Sequence, residues 1–212
     1  MQKKLCSSAV LLAAALGVGA VARGDCPAPA PRPDDLEAWA DVYLRWYIDG
    51  QTLPLDEHGN AVLGHTVLMP IPPTPGDGTP GSAAVTLDPH EWFVLPLWGL
   101  IGATYVDGTP PDPVEPIRIF ETLDIRVTLD GVPLITQDNV IDFFTGFPLD
   151  PPIAIDDPVY STFIWYETII IVHERLPCGV HTLQLHAVNS EEQPWGFSEY
   201  NNTWTITVGE DD

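Results

Sequence analysis

The chain has 212 residues, of which 30 are Asp or Glu and 8 are Lys or Arg, a formal net charge of −22 at pH 7. That balance argues against nucleic acid and anionic lipid as partners, because binding either depends on cations that neutralise phosphate or headgroup charge. The length suits one domain with a real core, and 23 Pro and 17 Gly mark its loops heavily.

In chain order, Lys3 and Lys4 precede an apolar run from Ala9 to Ala22, and Ala20-Val21-Ala22 reads as a small-x-small cleavage site. These are the parts of a secretory signal peptide, and the run is short of the roughly 20 residues that span a bilayer. The expectation is an exported protein, secreted, periplasmic or at the cell surface. Its mature chain would begin near Arg23 and keep no transmembrane anchor after cleavage. Cleavage removes both lysines and leaves six arginines against all 30 carboxylates. So strong a charge suits solubility or a saline habitat. Cleavage also removes Cys6 and leaves Cys26 and Cys178, a pair expected to form a disulfide in an oxidising compartment, with two unpaired thiols as the rival.

The organisation expected is a signal peptide (1–22), a Pro-rich amino-terminal segment (23–36), one β-sandwich domain (37–208) and an acidic tail (209–212). Asp34–Tyr43 has an Asp cap and Leu36, Trp39, Ala40 and Tyr43 at helical spacing, enough for one short turn. Asp41–Asp49 alternates Val42, Leu44, Trp46 and Ile48 with Tyr43, Arg45 and Tyr47, as a half-buried strand does. Ala61–Met69, Ala83–Leu87 and Trp92–Trp98 follow as strands rich in β-branched and aromatic residues. Thr122–Leu129 alternates again, and Asp130-Gly131 turns it into Val132–Ile135, a two-residue hairpin signal. Asn139–Phe144 offers another short helical turn. Tyr160–His173 exceeds an ordinary strand and calls for a bend or bulge. Val180–Val188 and Thr203–Val208 complete the set. Pro27–Pro33, Pro70–Gly81, Gly108–Pro116 and Pro148–Pro158 read as ordered surface loops. The fold class expected is all-β: a two-layer antiparallel β-sandwich, immunoglobulin-like or jelly-roll, with long Pro/Gly-rich loops. Its core should hold Leu44, Trp46, Leu123, Ile125, Val127, Ile169, Ile171, Leu183, Leu185 and Ile206.

Chemistry is sparse. His58, His65, His90, His173, His181 and His186 lack the spacing of a transition-metal site. The loops Asp107–Glu115 and Asp150–Asp157 supply carboxylates and carbonyls but not the spaced ligands of a calcium loop. No cofactor is therefore expected beyond loosely bound calcium. Activated Ser or Cys motifs and a Gly-rich phosphate loop are missing, so no enzyme is expected. Seven tryptophans remain to be placed. Trp46, Trp165 and Trp204 sit in apolar strands and suit packing. Trp92, Trp98 and Trp195 lie near strand ends or in a loop, where exposed rings would stack on sugars.

Leu176-Pro177-Cys178-Gly179-Val180-His181-Thr182-Leu183 resembles the L-P-x-G-x-H-x-L stretch of secreted bacterial immunoglobulin-like and fibronectin-like domains. Thr203-Trp204-Thr205-Ile206-Thr207-Val208 resembles the strand that closes their sheet. The resemblance covers about the last 40 residues and implies architecture, not activity. The whole chain is similar to uncharacterised exported bacterial β-sandwich proteins. The function expected is a structural or protein-interaction role at the cell envelope or outside the cell, with an extracellular or envelope protein or polysaccharide as partner. A carbohydrate-binding module is the alternative, and a secreted hydrolase with an unrecognised carboxylate site is third.

Overall fold

The computed structural model describes residues 30–48, 50–115, 117–121, 123–189 and 198–209. Helix α1 (Leu36–Ile48) opens the fold. Asp35 caps it, accepting from the Ala38 backbone N–H at 3.0 Å, which satisfies one of the donors that a helix start leaves free. An Asp41–Arg45 pair one turn apart at 2.9 Å supports the middle. Asp41–Asp49 is thus no strand; Asp41–Ile48 forms the second half of this helix. Its alternation misleads because Tyr43 and Tyr47 make both faces of a supposed strand apolar, while the stripe Trp39, Ala40, Tyr43, Leu44 keeps the helical period and is buried.

Among the described residues ten strands form two five-stranded sheets. Sheet A has the order β1 (Val62–Leu63), β2 (Thr66–Leu68), β4 (Trp92–Tyr105), β8 (Tyr160–His173) and β7 (Phe144–Ala154). Sheet B has the order β3 (Asp77–Leu87), β10 (Ser198–Val208), β9 (Gly179–Asn189), β5 (Asp124–Leu129) and β6 (Val132–Ile135). The all-β sandwich is as expected. The sheets are mixed rather than wholly antiparallel, since β2 pairs with β4 and β3 with β10 in parallel.

The Asp130-Gly131 hairpin joins β5 to β6 with both residues at positive φ, 53° and 76°, the backbone that a tight two-residue turn requires. A short 3-10 turn, Val140–Phe143, fills the position of the second expected helix. The foreseen irregularity in β8 is present. Its partners on β4 pass from Trp165 opposite Gly102 to Phe163 opposite Ala103, leaving Ile164 as a bulge. Two Pro-rich stretches expected as loops are partly strand: β7 runs through Pro148–Ala154, and β3 begins at Asp77. Both lie at sheet edges, where proline's missing N–H costs no ladder bond. Across Leu149–Pro152 the β7–β8 ladder is interrupted.

Two cores result. The inter-sheet core holds Leu123, Ile125, Val127, Ile169, Ile171, Leu183, Leu185 and Ile206, all expected there. The second lies between α1 and the outer face of sheet A, where Trp39, Tyr43 and Leu44 pack on Leu68, Val94, Phe147, Tyr166 and Ile170. Trp46, expected in the core, is only partly buried at its margin. With a core on each side, β8 is buried on both faces, which explains why Ile169-Ile170-Ile171 is continuously apolar. Among the described residues no helix is long and apolar enough to cross a membrane.

Candidate functional site

The outer face of sheet B is built by the alternation of β10. Trp204, Ile206 and Val208 turn inward and are buried, so Thr203, Thr205 and Thr207 turn outward. Strand register extends each into a row. Thr203 lies between Ser82 and Gln184, Thr205 between Ala84 and Thr182, and Thr207 between Thr86 and Val180. None of these nine residues is charged, on a chain of net charge −22. The face offers hydroxyl groups that both donate and accept, set among methyl groups. Charge returns at its border, where the next rows carry Arg126 opposite His186 and Glu199 opposite Asp77. There His186 Nδ1 donates to Asn201 Oδ1 at 2.8 Å, and the Asn201 amide donates to Glu199 Oε1 at 2.9 Å.

The other border is fixed by His181. Its Nδ1 is 2.7 Å from Asp130 Oδ2 and its Nε2 is 2.8 Å from the Pro177 carbonyl. Both partners can only accept, so the arrangement favours the imidazolium, donating from both nitrogens. The bond to Asp130 raises the His181 pKa against the opposing effect of burial, and the same bond lowers that of Asp130. Asp130 also accepts from the Thr182 N–H at 2.8 Å. The clamp holds the Pro177-Cys178-Gly179 turn against the β5–β6 hairpin. Among the described residues Cys178 is a free, exposed cysteine; its expected partner Cys26 lies outside them.

Among the described residues two carboxylate groupings stand out. Glu57, His58 and Asp88 place three potential ligand atoms within 4.8 Å of one another, with His58 Nε2 3.1 Å from Asp88 Oδ1 and 3.8 Å from Glu57 Oε1. The Asp88 hydrogen bond raises the His58 pKa. The grouping is exposed and reads first as an ion pair. The second grouping lies where the 106–115 segment crosses sheet A. Asp112 accepts from the Ala103 N–H at 3.0 Å and from the Tyr105 hydroxyl at 2.7 Å, and its carbonyl accepts from Trp165 Nε1 at 3.0 Å. Beside it Glu115 brings its charge near the carboxylate of Glu167 on β8. Glu167 is 4% exposed, and among the described residues its Oε2 has no hydrogen-bond partner. Burial, then the charge of Glu115, push its pKa up to about 7. Burial and Asp112 raise that of Glu115.

In the loops considered for calcium, Asp107 and Asp157 cap turns. Asp107 accepts from the Thr109 N–H, and Asp157 from those of Val159 and Tyr160. Of the aromatic candidates, Trp92 is half-buried. Trp98 is buried at 7% exposure, edge-to-face with Phe120 at 5.3 Å. This corrects the expectation that Trp98 presents its ring, which assumed that the strand ends there; β4 instead continues to Tyr105. Trp195 lies outside the described residues. The threonine face was legible as the alternation Thr203, Thr205, Thr207. The signal for Glu167 was one carboxylate inside the apolar run of β8.

No family model matches the chain, and no curated protein does. Among solved structures it is similar to the solution structure of Amebosin, at 11% identity and a TM-score of 0.20, over 68% of this chain and 95% of that one.

Proposed function

We propose that the chain is an exported, non-catalytic acidic β-sandwich with a structural or protein-interaction role at the cell envelope or outside the cell, and that the outer face of sheet B is its contact surface. The observation that carries this reading is the concentration of three uncharged rows on a chain of net charge −22. Burying a charge is costly unless it is paired, and a strongly acidic surface repels acidic partners. A partner therefore meets the least resistance on the face where no carboxylate must be stripped of water. At ordinary strand spacings, three rows over three strands measure about 10 Å by 13 Å. That is well below the ~800 Å² per partner of a stable interface, so the reading is of a weak contact that gains strength by repetition. The sugar-stacking alternative loses the buried Trp98. The hydrolase alternative would rest on Glu115 and Glu167, and the latter is too buried to meet a polymer.

The test is co-sedimentation of the purified mature chain with envelope fragments of the cells that produce it, at fixed salt. Thr205→Glu with Thr182→Glu should weaken binding at least tenfold while Tm holds. Unchanged binding by the double variant would overturn the assignment of this face, and hydrolysis of envelope polymer by the wild type would overturn the non-catalytic reading.

A further inference from the structure

One imidazole nitrogen and two carboxylates converge where the 56–60 turn meets the loop between β3 and β4. His58 Nε2 stands 3.1 Å from Asp88 Oδ1 and 3.8 Å from Glu57 Oε1, and the three ligand atoms lie within 4.8 Å of one another. An ion pair accounts for only part of this. Nε2 carries at most one hydrogen, which Asp88 takes, and Glu57 stands beyond hydrogen-bond reach of the ring. The spacing suits a different occupant. Two ligands held about 2.0–2.2 Å from a tetrahedral ion stand roughly 3.3–3.6 Å apart, between the two distances observed. The backbone around the three is fixed by other groups. Asp56 Oδ1 accepts from the N–H groups of His58 and Asn60 at 2.9 and 2.8 Å. Asn60 Nδ2 donates to Asp56 Oδ2 at 2.6 Å and to the Thr86 carbonyl of β3 at 2.7 Å. On the facing loop the buried Glu91 accepts from the Asp88 N–H at 2.8 Å, and its own N–H donates to the Asp88 carbonyl at 3.0 Å. Asp56 and Glu91 thus hold the ligand-bearing backbone in place and leave the tips of Glu57, His58 and Asp88 to converge, as the outer partners of metal ligands do.

We propose that Glu57, His58 and Asp88 form a binding site for one divalent first-row transition-type metal ion, such as zinc, held by an imidazole nitrogen and two carboxylates. The nitrogen selects the class: imidazole suits zinc, copper, iron and nickel, whereas calcium and magnesium take oxygen ligands. Three protein ligands leave a position for water or for a donor from another molecule. The site opens outward, with side-chain exposures of 75% at Glu57 and 44% at Asp88. The ion also relieves like charge, since Asp56, Glu57, Asp88 and Glu91 surround a single imidazole. A chain of net charge −22 draws cations toward it. Ligand spacing along the sequence does not reveal the site, because Asp88 lies 30 positions from His58.

The test is calorimetric titration of the chelator-treated mature chain with zinc chloride in a non-coordinating buffer, with nitrogen-edited NMR of the histidine rings alongside. Treatment with iodoacetamide beforehand removes the Cys178 thiol as a competing ligand. Zinc should bind and shift the His58 ring signals. His58→Ala should weaken this binding at least tenfold. Asp88→Asn and Glu57→Gln should each weaken it several-fold, because an amide oxygen is a poorer ligand than a carboxylate. The ion displaces the proton on Nε2, and the bond to Asp88 raises the His58 pKa. Affinity should therefore fall by up to about tenfold per pH unit below that pKa. Unmoved His58 signals at millimolar zinc, or equal affinity in His58→Ala, would overturn the site. Calcium binding as tight as that of zinc, lost in Asp88→Asn but kept in His58→Ala, would overturn the nitrogen-bound metal in favour of an oxygen site.

Discussion

His181 shows how much one side chain does at the rim of sheet B. Its two acceptors favour the charged ring, so its contribution to stability is fully present below its unfolded pKa, about 6.5, and is lost as pH rises through its raised folded pKa. Asp130→Asn keeps a residue that tolerates the positive φ of this turn but removes the charge. The His181 titration followed by NMR should then move to lower pH. An unmoved titration would show that Asp130 does not set it. In the inter-sheet core, Leu185 is 3% exposed, and Leu185→Ala should cost about 2–5 kcal/mol in chemical unfolding. A loss below about 0.5 kcal/mol, as at ordinary surface positions, would contradict its burial. Leu185 could be placed from sequence because inward and outward residues alternate strictly along β9. Glu115 could not be matched to Glu167 in that way. The two are 52 positions apart, and only the crossing of the 106–115 segment brings them together.

At the scale of elements, what was legible was whatever a local period decides. The alternation of β5, the Asp-Gly turn and the T-x-T-x-T of β10 each name their structure within a few residues. Helix α1 was half legible. Its first turn carries a cap and a clear stripe, whereas its aromatic second half satisfies a strand pattern equally well until sheet A covers one side. β7 was hidden by its prolines, which an edge strand tolerates because no neighbour waits for their missing N–H. The cap at Asp35 gives this element a direct test. Asp35→Ala should destabilise the protein by about 0.5–2 kcal/mol, and Asp35→Asn far less, since Asn caps about as well. Equal losses would mean that the carboxylate charge, not the bond to Ala38, matters. β4 offers a harsher test. A Cβ on Gly102 would stand 1.9 Å from the Trp165 ring, so Gly102→Ala must displace that ring. The expected cost in thermal or chemical unfolding is about 1–3 kcal/mol, and a neutral result would place Trp165 elsewhere.

For the molecule as a whole, a net charge of −22 means that the fold assembles against its own repulsion. Raising NaCl from 10 mM to 0.5 M shortens the Debye length from about 30 Å to below 8 Å, so Tm should rise; a flat or falling Tm would show that the charges are locally compensated. The proposed export has its own test, an intact mass for the secreted protein that begins near Arg23 and a Cys26–Cys178 cross-link in non-reducing peptide maps. A species that retains Lys3 and Lys4, or free thiol at both cysteines, would rule out the corresponding part.

The parallel pairing of β3 with β10 carries a further consequence, for the order in which the chain can be built. β10 lies between β3 and β9, so residues 77–87 wait for partners more than a hundred positions later. Until Ser198–Val208 arrives, sheet B is two fragments with unsatisfied backbone edges, the kind of surface on which nascent chains pair wrongly. Such distant pairing makes folding slow. It also makes this last described strand a keystone: a chain stopped before Ser198 would lose the wedge that joins the two fragments, not a dispensable end.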